Sequence, residues 1–277
     1  MNDRPDTLPA VGTDYGARYV VVNCTNEVIS DVVCIHECAE ISWTNKTAAP
    51  TLLPGEATPV QILRSRSLRV DTWCAALTRN GSMYVKGAVD CNVTPTDAGG
   101  LCVIGLQEET VRIIPPHSDS DSFSFRPIFA TTPEQKKYMA ADGSVPAEED
   151  PQAGQKKTAG VGVNEDYSGG FVVINATNGP ITDVHITHTC NEMVTPFKRF
   201  RMENDEVAPL TKITAATLHN DYWTISFRDT AGQIKSRQNK KCNYELGDRL
   251  QACLIILYED SFSVVPPVTS GCYNNHY

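Results

Sequence analysis

Apolar and polar residues alternate along the chain with the two-residue period of β-strands, and no segment shows a convincing helical period. In the stretch Ile181–Cys190, the side chains of Val184, Ile186, His188 and Cys190 fall on one face of a strand. The positions between them are mainly polar and form the other face. This pattern predicts a strand that buries one face and exposes the other.

The same series of strands occurs twice. The sequence DYGARYVVVNCTNEVISDVV around Tyr15 returns as DYSGGFVVINATNGPITDVH around Tyr167, and Trp73 returns as Trp223. A repeat of roughly 105 residues is too long for a solenoid unit and has the size of an independent domain. The chain is therefore predicted to contain two related domains in tandem.

Each module is predicted to hold about six or seven short strands separated by turn signals, which is typical of a β-sandwich. The predicted fold class is all-β: two tandem β-sandwich modules joined by a long linker. We place a disordered tail at 1–13, module one at 14–116, a linker at 117–165 and module two at 166–277. The linker is too polar to bury a core. Its patch Ser122–Phe129 alternates apolar residues, so it either docks on a module as an extra strand or remains linker.

Charge narrows the range of partners. The net charge is −9, which argues against a general nucleic-acid binder because such a protein needs a basic face. The best local basic cluster is Lys198, Arg199 and Arg201, which we interpret as part of a solvated loop.

The first residues are polar and lack the apolar segment of a signal peptide, and the apolar stretches are far too short for a transmembrane segment. We therefore expect a cytoplasmic protein with mostly reduced thiols, and a secreted one only if a leader has been removed. A Cys242–Cys272 bridge is plausible in an oxidising compartment.

A His-x-Cys pair recurs in the two modules, as His36 with Cys38 and as His188 with Cys190. On a strand the two side chains share a face about 7 Å apart, a spacing that two ligands of one metal ion can use. Zinc needs three or four protein ligands, so we expect packing in the core and no bound metal or other cofactor.

None of the standard nucleophile or nucleotide-binding motifs occurs. If the protein were an enzyme with a site between its modules, His188, His185, Asp183 and Cys190 would be the candidates for acid–base or metal chemistry. Neighbouring His and Cys side chains on one strand run parallel and do not meet at hydrogen-bond distance, which disfavours a thiol–imidazole pair.

Trp73 and Trp223 are predicted to anchor the cores, and Asp71 and Asp221 to accept hydrogen bonds from neighbouring loop amides. The candidate contact residues for a ligand are aromatic side chains expected in the loops at one end of each sandwich: Trp43, Tyr84, Phe197, Phe200 and Tyr244.

Four segments of module two, Ile181–His188, Trp223–Gly232, Lys241–Asn243 and Ser270–Cys272, resemble the "up-regulated in Daf" domain, a small β-sandwich module. Module one shows a weaker likeness and departs from it at the C-terminal Ser-Gly-Cys. The resemblance implies a fold, but no reaction and no catalytic residues. The sandwich also looks broadly similar to aegerolysin-type lipid binders, a likeness of fold alone.

These observations predict a non-enzymatic binding protein that engages a lipid head group, a glycan or a protein partner through loops at the ends of the sandwiches. It is expected to be a monomer or a homodimer. The alternative is an enzyme with a small-molecule or metal site at the interface between the two modules.

Overall fold

A computed structural model describes residues 14–38, 41, 43–66, 71–119, 121–124, 126–128, 166–190, 193–216 and 220–277. The regular structure in these residues is β-sheet, apart from short 3-10 turns such as Pro95–Asp97. The predicted tail, Phe125 and the part of the linker from 129 to 165 lie outside the described residues.

The described part of module one forms ten strands. They are β1 (Asp14–Asn23), β2 (Ile29–Cys38), β3 (Trp43–Leu52), β4 (Gln61–Arg66), β5 (Asp71–Arg79), β6 (Ser82–Asp90), β7 (Leu101–Leu106), β8 (Thr110–Ile114), β9 (Asp121–Ser124) and β10 (Arg126–Ile128).

The described part of module two forms nine strands. They are β11 (Asp166–Asn175), β12 (Ile181–Cys190), β13 (Met193–Met202), β14 (Thr211–Ala216), β15 (Asp221–Arg228), β16 (Ile234–Lys241), β17 (Ala252–Leu257), β18 (Ser261–Val265) and β19 (Cys272–His276).

The described strands form four sheets, two in each module. In module one, sheet A (β4-β1-β7-β8-β9) packs on sheet B (β10-β6-β5-β2-β3) around Trp73. In module two, sheet C (β14-β11-β17-β18-β19) packs on sheet D (β13-β12-β15-β16) around Trp223. The predicted fold class of two β-sandwich modules is confirmed.

The strand number exceeds the prediction for a physical reason. Strands β3 and β13 lie at sheet edges and expose half of their residues, and each contains a proline, Pro50 or Pro196. An edge strand tolerates proline because one row of its backbone groups needs no ladder partner, but the proline weakens the sequence signal. The patch Ser122–Phe129, which the sequence left open, contributes most of β9 to sheet A and all of β10 to sheet B.

The two modules pack against each other through sheets A and C. Every residue of β7 and of β17 is buried, because these central strands have a module core on one face and the other module on the opposite face. The apolar contact joins equivalent positions of the two copies, such as Val20 and Val22 with Val172 and Ile174. The result is a stack of four sheets in the order B, A, C, D.

Polar contacts fix the position of one module on the other. The backbone N–H of Ala252 donates to the carbonyl oxygen of Cys24 at 2.8 Å, which continues the hydrogen bonding across the interface. The guanidinium of Arg18 lies 2.9 Å from a carboxylate oxygen of Asp205 and donates to Asn178 Oδ1 at 2.6 Å.

The chain carries a disulfide between Cys242 and Cys272, the pair that the sequence allowed. It joins the end of β16 in sheet D to the start of edge strand β19 in sheet C, with the two Cα atoms 6.0 Å apart. The bridge therefore ties the two sheets of module two together at their margin.

We expect Cys272→Ser to lower the free energy of unfolding by about 3–4 kcal/mol, because the bridge closes a loop with a sequence separation of 30 and restricts the unfolded chain. Urea denaturation without reductant measures the effect. Cys74→Ser, which removes a half-buried thiol outside any disulfide, is the matched control. Equal midpoints for Cys272→Ser and the unreduced wild type would contradict the prediction.

Candidate functional site

A buried histidine–aspartate–tryptophan cluster occupies the core of each module. In module two, strand register sets His188 of β12 opposite Trp223 of β15, and Cys190 opposite Asp221. His188 Nε2 lies 2.7 Å from Asp221 Oδ1, and the imidazole packs 4.6 Å from the indole ring of Trp223. Asp221 also accepts the backbone N–H of Tyr244 at 3.0 Å.

Module one repeats this cluster. His36 Nε2 lies 2.8 Å from Asp71 Oδ1, and its ring packs 4.5 Å from that of Trp73. Asp71 Oδ2 accepts the hydroxyl of Ser65 at 2.8 Å and the backbone N–H of Val93 at 2.9 Å. The predicted roles of the two aspartates and of the two tryptophans are confirmed.

The geometry of the clusters is that of a structural link. Both imidazoles and both carboxylates are buried, so no substrate reaches them. Because a carboxylate only accepts hydrogen bonds, Nε2 of each histidine carries the shared proton. The Nδ1 atoms of His36 and His188 are buried and have no hydrogen-bond partner among the residues that the structure describes. Each carboxylate joins a sheet to a neighbouring loop. A buried charge is tolerated in such a position because it is paired and hydrogen-bonded.

The predicted catalytic residues of β12 are not brought together. His188 and Cys190 face the module core, whereas His185 and Asp183 are exposed on the opposite face. Asp183 lies 3.4 Å from Arg228 in an exposed ion pair. These four residues do not lie at the module interface, because β12 belongs to sheet D and the interface is formed by sheets A and C.

The candidate metal ligands contact other side chains and do not converge on one point. His36 uses Nε2 on Asp71, and the Cys38 sulfur lies 3.9 Å from the hydroxyl of Ser65. In the part of the chain that the structure describes, no group of three or more His, Cys, Asp or Glu side chains is arranged to hold a metal ion. His36, Cys38, His188 and Cys190 thus form no common ligand set.

Four of the buried thiols are poor nucleophiles. Burial raises the pKa of Cys24 to about 12 and also raises the pKa of Cys34, Cys102 and Cys253. A thiol with a raised pKa remains protonated at neutral pH and is a poor nucleophile.

Four of the five candidate contact residues lie in strands rather than in end loops. Trp43 begins β3 and has the guanidinium of Arg64 over its ring at 4.8 Å. Tyr84 lies in β6 under Arg79, with 4.7 Å from the guanidinium to the ring centre. Phe200, in β13, is 80% exposed and is the most accessible of the five.

Phe197 and Tyr244 are corrections to the predicted contact set. Phe197 of β13 points into the core and packs at 6.2 Å from the ring of Phe171. Tyr244 follows β16 and is buried, with its hydroxyl donating to the carbonyl oxygen of Gln251 at 2.8 Å. Neither side chain is accessible to a ligand in this structure.

A cleft of about 530 Å³ lies where the modules meet, between residues 53–60 of module one and Asp205 and residues 207–210 of module two. Its lining is mostly aliphatic and proline, and contains no histidine or cysteine. The acidic groups there are Glu56 and Asp205, and Asp205 is already paired with Arg18. The cleft therefore lacks the pairing of a nucleophile or base with an orienting group that the enzyme alternative requires.

Strand β16, Ile234–Lys241, is a basic and exposed edge of sheet D, and we call it the basic edge. Its sequence IKSRQNKK contains four basic residues and no acidic one. Lys235 lies within 4.0 Å of carboxylates of Asp229 and Asp260. The side chains of Arg237, Lys240 and Lys241 have no ion-pair partner among the described residues.

The predicted basic cluster lies at the opposite edge of sheet D, in strand β13 rather than in a loop. Arg199 pairs with Glu206, and Arg201 lies 2.5 Å from Glu203. Lys198 is exposed and has no ion-pair partner in the part of the chain that the structure describes. Two of the three charges are therefore compensated locally, which leaves the basic edge as the stronger positive feature.

Comparison of the sequence with models of known protein families and with curated proteins finds no match. The resemblance to the "up-regulated in Daf" domain stays a prediction. Within the described residues, no helix combines the length and the apolar character that crossing a membrane requires.

We expect His188→Ala to lower the free energy of unfolding by about 3 kcal/mol, because it leaves the buried carboxylate of Asp221 without its partner. His185→Ala on the same strand is the matched control and should change stability by less than about 0.5 kcal/mol, because His185 is exposed. Chemical denaturation measures both values.

The double variant His188→Ala/Asp221→Ala adds a second check. Removing both partners should cost less than the sum of the single losses, because no unpaired charge remains in the core. A loss for His188→Ala no larger than that for His185→Ala would contradict the structural role of the cluster.

Proposed function

We propose that the protein is a non-enzymatic binding protein that holds an anionic partner on the outer sheet of module two, sheet D. The observation that carries this proposal is the basic edge. Arg237, Lys240 and Lys241 project there from a strand that contains no acidic residue, and they have no ion-pair partner in the part of the chain that the structure describes. The rest of the protein has the opposite sign, since the net charge of the whole chain is −9.

The electrostatics favour a single binding orientation. An anionic partner is repelled by most of an acidic protein and attracted by a local basic strand, so it approaches from one side. Such a field acts on association rate and on specificity, and it weakens as salt screens it. The charge distribution of this chain therefore suits selective recognition at sheet D.

The packing of the modules also favours sheet D as the binding surface. Sheets A and C cover each other, so the sheet faces left for a partner are the outer faces of sheets B and D. The two outer sheets differ in charge. Strand β6, the counterpart of β16, reads SMYVKGAVD and contains one lysine and one aspartate. The basic edge is thus a property of module two alone.

The residues with catalytic chemistry give no support to the enzyme alternative. His36 and His188 are buried in structural hydrogen bonds, and burial raises the pKa of four thiols, those of Cys24, Cys34, Cys102 and Cys253. The cleft between the modules contains neither residue type. A binding role needs none of these groups.

We expect Lys240→Glu/Lys241→Glu to weaken binding of anionic probes by about tenfold or more, because each basic residue beside an anionic surface contributes on the order of 1 kcal/mol. The probes are phosphatidylserine vesicles, heparin and poly-glutamate, with phosphatidylcholine vesicles and neutral dextran as uncharged references. Binding is measured at two salt concentrations, and the higher salt should weaken it.

Lys46→Glu/Lys212→Glu is the matched control, because it makes the same change in net charge at exposed positions of β3 and β14. This control should change affinity by less than about twofold if the basic edge is the binding surface. The proposal fails if the wild type binds none of the anionic probes, or if the two double variants lose the same affinity.

A further inference from the structure

The edge of sheet B that corresponds to the basic edge is already occupied by another strand. Strand β10 pairs antiparallel with β6, setting Arg126 opposite Val85, Pro127 opposite Tyr84 and Ile128 opposite Met83. Because β10 follows the last core strand of module one, the chain itself closes this side of sheet B. In sheet D, β16 has only β15 as a neighbour among the described strands.

The two edges are equivalent residue by residue. Leu77 pairs with Tyr84 in module one, and its counterpart Phe227 pairs with Lys235 in module two. The three residues that β10 covers therefore correspond to Ile234, Lys235 and Ser236. Ile234, the counterpart of Met83, is 63% exposed, which is a large apolar side chain left in water.

The same bulge limits the regular part of both edges. β15 pairs regularly with β16 between two residue pairs, Arg228 with Ile234 and Ile225 with Arg237. The register then shifts between Ile225 and Trp223. On β16 this shift coincides with Asn239, which has a φ of 51°. Pairing of β5 with β6 shifts at the equivalent place, between Trp73 and Ala75. An added strand on the basic edge therefore has a short regular docking segment like the one that β10 uses.

We propose that the basic edge binds an acidic, extended peptide segment of another protein as an added antiparallel strand. An open edge offers unpaired backbone N–H and C=O groups, and main-chain pairing provides affinity while side chains provide selectivity. This inference rests on the proposed function, since it names the anionic partner of the same surface.

The neighbouring side chains define the sequence that fits. In the register of β10, an apolar residue lies opposite Ile234 as Ile128 lies opposite Met83. The residue three positions before it lies opposite Arg237, and the residues before that approach Lys240 and Lys241. Cross-strand neighbours are stabilised when they carry opposite charges or are both apolar. The segment that fits therefore has acidic residues, then two intervening residues, and then an apolar residue. A suitable probe is Glu-Glu-Glu-Thr-Val-Ile.

The test uses this labelled probe and two N-methylated versions of it, measured by fluorescence anisotropy on the whole protein. One version carries N-methyl groups on the backbone nitrogens of residues 1, 3 and 5, and the other on those of residues 2, 4 and 6. The charge and the side chains of the peptide are therefore unchanged. In an added strand, alternate amides point toward the partner strand. One version should therefore lose binding by at least about tenfold and the other should bind nearly as the parent does.

A protein variant gives an independent readout. Ile234→Ser should weaken the unmethylated probe severalfold, whereas Ile62→Ser should leave it unchanged, since Ile62 is also 63% exposed but lies on β4 in sheet A. Neither substitution alters charge, so a purely electrostatic surface would not distinguish them. Equal binding by the two variants overturns the inference.

The remaining outcomes separate this inference from the proposed function. If both methylated probes bind as well as the parent, strand addition is wrong and charge attraction survives. If vesicles or heparin bind but the peptide does not, the partner class is wrong. If light scattering shows a dimer that Ile234→Ser dissociates, a second copy of the chain covers the edge and the inference is overturned. If no anionic probe binds, the proposed function fails as well.

Discussion

The structure depends on one constraint, which is that sheets A and C are apolar on both faces. The central strands β7 and β17 have no polar side to present to water, so each sheet needs a cover on either side. The outer sheets B and D cover one face, and the two modules cover the other face for each other. This decides the order of the four sheets and turns the duplicated domain into a closed pair that resembles a symmetric dimer on one chain. It also removes the inner faces from any contact with a partner.

The features that the two modules share serve folding. A binding role can arise from the features in which they differ. Both keep a buried histidine that bonds an aspartate and packs on a tryptophan, with nearly the same distances. A duplicated catalytic site would need an opening, and these clusters have none. The copies diverge at the edges, where β6 is covered by β10 and β16 carries three basic side chains that have no ion-pair partner within the described ranges. This difference changes the surface without touching either core.

Alternation in the sequence was enough to predict strands such as β12 and β15 and the direction of their buried faces, because a strand with one wet side has a clear period. It did not reveal β3 and β13, whose exposed, proline-containing edges lack that period. It also placed His188 on the core face without revealing its contact with Asp221, since that contact depends on strand register between segments more than 30 residues apart. The aromatic candidates failed for a related reason. Residue type does not tell whether Phe197 faces the core and Phe200 the solvent, although β13 makes that distinction plainly.

The lysines of an open edge strand are usually explained as protection against self-association, and this reading is compatible with partner binding. Two copies that met edge to edge would bring Arg237, Lys240 and Lys241 of each strand together, and the like charges would oppose pairing. The same charges favour an incoming strand of opposite sign. Exclusion of the chain's own copies and choice of an acidic partner therefore follow from one set of side chains, and the selectivity arises from the difference between the two pairings. The β6 edge of module one needs no such device, because β10 already pairs with it.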